Sequence, residues 1–456
     1  MFTKYTCAML RAKLIALLVF LSVGIANAQY TILSPYSSYG LGERANPENY
    51  VFSGIGNCSV TAFDSTILNF YNPSTYNTYG TGQPLFSIGI ESKMLFQKDG
   101  NANVFSGTAM LNHFVMGIPV KKNFGIAFGL KPYARKGYEL YDRVAVGTDS
   151  IKYTYLGKGG TQHVFVGASA NLVNVKSFKW SVGGNAGYLF GISTNERRSQ
   201  IIKLAQFSGG VDRNVLTTSA FYYELGTNMR LKLNNKHMIT LAGTFEPTQN
   251  LGVKKDEYLF YAPNVNDPRF YDTINQKADI RGTIRMAPSY NIGFSYILGF
   301  ESEKKGNRIR ESELALHFNY GMTDWSAYRD ELNPELTFLN TSKINVGVQF
   351  IPERDFLDKA AVVGFFETVR YRVGYYQYTL PYSYNGTQMS DFGMTFGFGL
   401  PILTTKSLSS VNLGVSLGKR EAGSSNSLNQ KYISLNFGVT LAPSNFDRWF
   451  RKRKLD

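Results

Sequence analysis

Large apolar and small or polar residues alternate without a break near the C-terminal end. Ile433, Leu435, Phe437, Val439 and Leu441 take one parity, and Ser434, Asn436, Gly438 and Thr440 take the other. A period of two describes a β-strand with one apolar and one polar face. Two stretches upstream repeat it. Val411, Leu413, Val415 and Leu417 alternate with Asn412, Gly414, Ser416 and Gly418, and Phe392 to Leu400 alternates in the same way with Gly393, Thr395, Gly397 and Gly399. Such strands suit half of a soluble sandwich or the wall of a transmembrane barrel with its apolar face outward.

Turn signals decide between these. Short polar breaks fall at Lys121-Lys122-Asn123, Asn174 to Ser177, Asn234-Asn235-Lys236, Glu301 to Asn307, Pro352 to Asp358 and Thr404 to Ser407. Six short turns bound seven hairpin-like units. The pattern predicts fourteen strands, at 84–97, 104–119, 123–138, 151–172, 178–193, 215–232, 237–254, 284–300, 308–321, 338–351, 360–374, 388–402, 407–420 and 430–443. These exceed the roughly five or six residues of a sandwich strand and meet the roughly nine to eleven that a tilted membrane strand needs. The fold class is therefore all-β, a transmembrane antiparallel barrel over 84–443. Its last strand must pair with its first, at Phe86 to Phe96, because closure removes open edges. Tyrosine clusters at 371–378 and around Tyr258 and Tyr261 suit interfacial girdles. The longest outer loops are expected at 194–214 and 255–283, and the second carries Lys254, Lys255, Asp256, Glu257, Asp267, Arg269 and Asp272.

Residues 29–83 do not alternate. Ser34-Pro35-Tyr36, Ser53-Gly54-Ile55-Gly56, Asp64-Ser65 and Asn72-Pro73-Ser74 punctuate the segment with turn formers. It has no obvious core of its own and is expected to fold into the lumen as a plug. Gly54, Gly56, Asn72 and Pro73 are the residues expected to shape it, as hinge and turn formers. Glu91 and Lys93 share the polar parity of the first strand and are expected to pair with each other or with the plug, since an unpartnered buried charge is costly.

Composition then narrows the compartment. Lys4, Arg11 and Lys13, the apolar run Leu14 to Ile25 and Ala26-Asn27-Ala28 predict a signal peptide over 1–28. Cys58 is then the only cysteine left, so no intramolecular disulfide forms. Export, no disulfide and alternating strands point to the outer membrane of a diderm bacterium, with its lipid as one partner. The net charge of +15 would suggest nucleic acid in a cytosolic chain, but an exported barrel has no nucleic-acid partner. A basic periplasmic tail at 444–456 carries Trp449, Phe450, Arg451 and Lys452, candidates for packing on the barrel base or for holding a partner. His113, His163, His237 and His317 have no paired ligand spacing, and no HExxH, CxxC or P-loop pattern occurs. No metal, cofactor or enzyme activity is expected.

At Ser53-Gly54-Ile55-Gly56, Asp64-Ser65-Thr66 and Asn72-Pro73-Ser74 the chain resembles the long-chain fatty-acid transporter family of the FadL/TodX type. Ser74 stands where that family typically has Ala. The Ser34 to Gly40 run, Gly399-Leu400-Pro401-Ile402 and the tail look like exported barrels of the Bacteroidota, including the PorV type. The resemblance implies a fourteen-stranded barrel, an N-terminal plug, and an outer hydrophobic groove formed by loops after strands five and seven. Here the 255–283 loop is charged and tyrosine-rich rather than aliphatic. Two functions follow as expectations. The leading one is passive uptake of hydrophobic or amphipathic small molecules. The alternative is a non-transporting barrel serving as scaffold or binding component of a protein secretion or surface-assembly machine. A continuous apolar pocket would favour the first, and a lumen of paired polar side chains the second.

Overall fold

The structure, a computed structural model, describes residues 34–64, 66–78, 84–99, 102–121, 123–202, 209–305, 308–352, 365–384, 386–402, 409–423 and 429–442. The expected signal peptide and the tail with Trp449, Phe450, Arg451 and Lys452 lie outside the described residues. No helix among those described is long and apolar enough to cross a membrane. Crossing falls to strands.

Fourteen antiparallel strands form a closed barrel. They are β1 (Leu85–Asp99), β2 (Ala102–Lys121), β3 (Phe124–Val146), β4 (Asp149–Asn174), β5 (Phe178–Ile201) and β6 (Gly209–Lys232). Two broken strands follow, β7 (His237–Glu246 and Gln249–Ala262) and β8 (Asp272–Met286 and Ser289–Lys305). The rest are β9 (Arg308–Thr323), β10 (Thr341–Ile351), β11 (Arg370–Tyr384), β12 (Thr387–Pro401), β13 (Ser410–Glu421) and β14 (Asn429–Leu441). β14 closes the barrel on β1, from Asn429↔Lys98 to Leu441↔Phe86. The closing pair is the one the alternation demanded.

The two faces are inverted relative to a soluble protein. Leu413 is 44 % exposed and Leu435 41 %, while Ser434, Asn436 and Thr440 are buried. Apolar side chains point outward and polar ones inward, as lipid on the outside requires.

Three features depart from the expected pattern. The stretches 194–214 and 255–283 are largely strand, not loop, so β5–β6 and β7–β8 are long hairpins. The eleventh strand is Arg370–Tyr384 rather than 360–374, and a short helix, Phe365–Thr368, precedes it. β7 and β8 break side by side around Pro247 and Pro288, since proline has no N–H to give a ladder. The Gln249 side chain substitutes for lost ladder bonds: Tyr223 N–H donates to its Oε1 (2.8 Å), and its Nε2 donates to the Tyr223 carbonyl (3.0 Å).

The β2–β3 seam is different again. Pairing runs from Lys121↔Phe124 up to Phe114↔Leu130 and stops. Beyond it β3 no longer alternates: of Lys131 to Tyr138 all but Arg135 are buried. A two-residue strand of the N-terminal segment, Glu43–Arg44, pairs there with Arg135 and Ala134.

That segment, residues 34–78, packs against the inward face of the wall. It forms 3-10 turns at Pro35–Ser38, Ser53–Ile55 and Pro73–Thr78. Contrary to expectation it has a small apolar core, with Val51, Phe52, Ile55, Cys58, Ala62 and Ile67 clustered and buried.

Candidate functional site

The candidate site is the inward face of the barrel, against which the inner segment packs. Close backbone approach is what its small residues supply. A Cβ on Gly54 would lie 2.6 Å from Gly397 Cα of β12. Gly56 has φ +69, and a Cβ there would lie 2.7 Å from the carbonyls of Val346 and Tyr375. Only glycine tolerates both demands. Asn72 acts through its side chain: Oδ1 accepts from Ser74 N–H (3.1 Å) and Oγ (2.7 Å), and Nδ2 donates to the Val60 carbonyl (2.8 Å). Pro73 opens the last 3-10 turn and lies against Gly183 of β5. The four residues thus sit at two places, Gly54 and Gly56 on β10–β12 and Asn72 and Pro73 on β5–β6.

Charge ties the segment to four further points of the wall. Glu43 meets Arg420 of β13, which also holds Asp391 at 2.7 Å. Arg44 meets Glu246 of β7, which accepts from Tyr222 at 2.7 Å. The Tyr50 hydroxyl donates to Glu91 of β1 (2.9 Å), which pairs with Arg135 of β3 at 3.0 Å. Asp64 pairs with Arg370 of β11 at 2.5 Å. Burial would raise the Glu43 carboxyl, but Arg420 above all, with Lys93 and Arg135, holds it down to about 2. Burial likewise opposes ionisation of Asp64, and Arg370 with the Thr66 hydroxyl overcomes it. Glu91 therefore pairs with the inner segment and with β3, as one of its expected alternatives had it. Lys93 takes neither partner and lies over the Tyr432 ring.

One more buried pair, Lys131 with Glu224 at 2.7 Å, joins β3 to β6. Asn185 donates to Glu224 (3.1 Å) and accepts from the Tyr76 hydroxyl (2.8 Å), which brings the inner segment into that network too. Sequence reasoning missed all these pairs except Glu91. Their partners lie up to 377 residues apart, and no local spacing marks them.

A cavity of about 260 Å³ remains between the segment and the wall. Tyr39, Tyr378, Tyr382 and Tyr432 line it together with several charged side chains. The histidines do not. His113 bonds Ser87 (2.9 Å), His317 bonds Ser295 (2.6 Å), and His237 bonds Tyr296 (2.5 Å). Among the described residues no three potential metal ligands cluster.

At the long-hairpin end, charges pair locally: Lys255 with Glu257 (2.6 Å), Arg269 with Asp267 (2.7 Å), and Arg198 and Arg213 with Glu196 (both 2.6 Å). The Arg213 guanidinium also stands 5.2 Å over the Phe260 ring. The upper arm of β8 pairs with β7 on one side, and from Asp272 to Arg281 it has no strand partner on the other among the described residues.

The sequence matches the family model named BamG over residues 9–456. The chain belongs to the BamG family. No curated protein matches it. Among solved structures, this BamG-family chain is similar to the P. putida toluene transporter TodX, at 12% identity and TM-score 0.50, covering 89% of this chain and 99% of that one. A Pseudomonas aeruginosa FadL homologue gives 9% identity and TM-score 0.49, covering 88% and 99%. The CymD monoaromatic hydrocarbon channel gives 9% and 0.48, covering 87% and 97%. At such identity the TodX likeness speaks to the fold alone, and at that level the expected FadL/TodX resemblance holds.

Proposed function

We propose that the chain is a non-transporting outer-membrane barrel, a scaffold or binding component of a surface-assembly machine, with a Bam complex, which its family's name suggests, as partner. The observation that carries this is the anchorage of the inner segment. Its ionic and hydrogen-bonded ties reach β1, β7, β11 and β13 at once. Moving the segment away would separate charges that each need a partner where water is scarce, and each separation is costly. A passage opened by rearranging this segment would need several such separations in one event. The edge of β8 from Asp272 to Arg281, without a second strand partner among the described residues, adds a docking feature, because an unpaired strand edge is a template for another chain.

The test is purification of the full chain from its own membranes, with cross-linking before extraction. Bam-complex subunits should co-purify in fixed ratio, and replacing Asn275 and Lys277 by proline on the free edge should release them while the barrel stays folded. A barrel that emerges alone, with or without the prolines, would remove this reading.

A second reading has one observation behind it. The cavity of about 260 Å³ is lined by tyrosines of both the inner segment and the wall, so a small hydrophobic or amphipathic ligand fits there. Under that reading Gly54, Gly56, Asn72 and Pro73 are the hinges through which the plug rearranges. Proteoliposomes separate the two. Uptake of toluene or a long-chain fatty acid above that of empty vesicles supports transport, and equal uptake supports the scaffold.

A further inference from the structure

The lumen cavity carries an imbalance of charge. Five cationic side chains line it: Arg44, Lys93, Arg135, Lys343 and Arg420. The three guanidiniums are engaged, Arg44 by Glu246, Arg135 by Glu91, and Arg420 by Glu43 and Asp391. Lys93 stands in the field of Glu43, Glu91 and Asp391, so on its side of the cavity three cations face three carboxylates.

Lys343 is the exception. Its charged neighbours are Arg44, Glu246 and Glu48. Arg44 and Glu246 neutralise each other. Burial pushes the Glu48 carboxyl up to about 8, against the pull of the Ser59 hydroxyl and of Lys343, so at pH 7 it is mostly uncharged. Among the described residues no carboxylate is within ion-pair distance of the Lys343 ammonium, which lies 5.6 Å from the Tyr378 ring centre. A charge without a partner in a half-buried site draws a counter-ion.

The surroundings say what kind. The Tyr378 hydroxyl is already bound by Asn345 (2.8 Å) and Asn57 (3.1 Å), which leaves its ring to be read as a surface. Tyr376 and Tyr378 lie 5.1 Å apart, and Tyr39 and Tyr382 stack at 5.1 Å. Such rings accept another flat ring offset or edge-on. We propose that the cavity binds a small aromatic monoanion, with its carboxylate on Lys343 and its ring among these tyrosines. This holds for a scaffold or a transporter alike and does not rest on either reading.

The experiment is calorimetric titration of the detergent-solubilised full chain at pH 7. The probe is 4-hydroxybenzoate, with neutral 4-hydroxybenzamide as its shape control. The acid should bind at least about tenfold more tightly than the amide, a difference of about 1.4 kcal/mol. Lys343→Met should abolish that preference, Lys343→Arg should keep it, and Lys93→Met should leave it unchanged. The arginine variant guards against a fold lost on removing the charge. Glu48→Gln should leave affinity unchanged at pH 7. Equal binding of acid and amide, no binding of either, or a preference that survives Lys343→Met overturns the site. So does a large gain of affinity in Glu48→Gln, because that would make Glu48 the existing counter-ion.

Discussion

The wall from β12 to β1 and the wall at the β2–β3 seam are built from the same kind of strand and solve different problems. Across the closing wall the register runs unbroken through every described pair of β14 with β1. Lipid lies on one side and the lumen on the other, so most outward positions are apolar. At the seam the ladder stops at Leu130, and Lys131 to Tyr138 is buried almost throughout. There the inner segment completes the wall, through Glu43–Arg44 and the Ser34 to Gly40 turn. Ser34 N–H donates to the Gly137 carbonyl (3.1 Å), and Lys136 Nζ donates to the Gly40 carbonyl (2.8 Å). A wall that closes on itself needs only alternation. A wall closed by another segment needs specific partners.

The largest expected effect falls at the seam. Lys131→Ala strips Glu224 of its cation in a site where the lysine is 2 % and the glutamate 9 % exposed. Leaving a buried carboxylate alone should cost about 3–5 kcal/mol, read as a lower urea midpoint in lipid vesicles. Lys131→Met with Glu224→Leu should recover much of it, because the cost is that of an orphaned charge. The closing wall should fail for another reason. Phe437→Arg puts a charge on the lipid face and should cost about 2–4 kcal/mol at the bilayer midplane. Asn436→Arg, on the cavity side of the same strand, should cost less than half of that. Equal costs at Phe437 and Asn436 would erase the distinction between the faces.

The same contrast explains what was legible in the sequence. Strand number followed from the six short turns, and the closing pair and facing from Ile433 to Leu441 and its repeats, because lipid imposes one rule along the whole strand. The rule lapses where lipid ends. In the upper arm of β8, Asp272 to Asp279 are all exposed, so nothing selects alternation there and 255–283 reads as a loop. Gly54, Gly56, Asn72 and Pro73 read as turn formers in the sequence, since backbone geometry is local, and they lie at or beside 3-10 turns. The inner segment's ties did not show. Glu43–Arg420 and Asp64–Arg370 join residues hundreds of positions apart, and either member alone reads as surface charge.

The smallest effect is set by pH, and it should separate the two regions most cleanly. Glu48 lies in the inner segment and not in the closing wall. Its carboxyl has an ordinary value near 4.5 and is pushed by burial to about 8 in the folded protein. The folded state therefore holds a proton that the unfolded chain has released. Between these values stability falls as pH rises: it is fully present below about 4.5 and lost as pH passes through 8. From pH 7 to 9 the contribution of Glu48 alone should fall by on the order of 1 kcal/mol. Glu43 and Asp64, held below their ordinary range by arginines, are ionised in both states over this interval and add no slope. Amide exchange corrected for its intrinsic pH dependence reads both regions at once. Protection at Tyr50 to Ser59 should weaken at pH 9, and that of β12–β14 should not. Glu48→Gln should flatten the response. A slope unchanged in Glu48→Gln would assign it to another group, and equal loss of protection in β12–β14 would mean that the inner segment and the closing wall unfold as one unit.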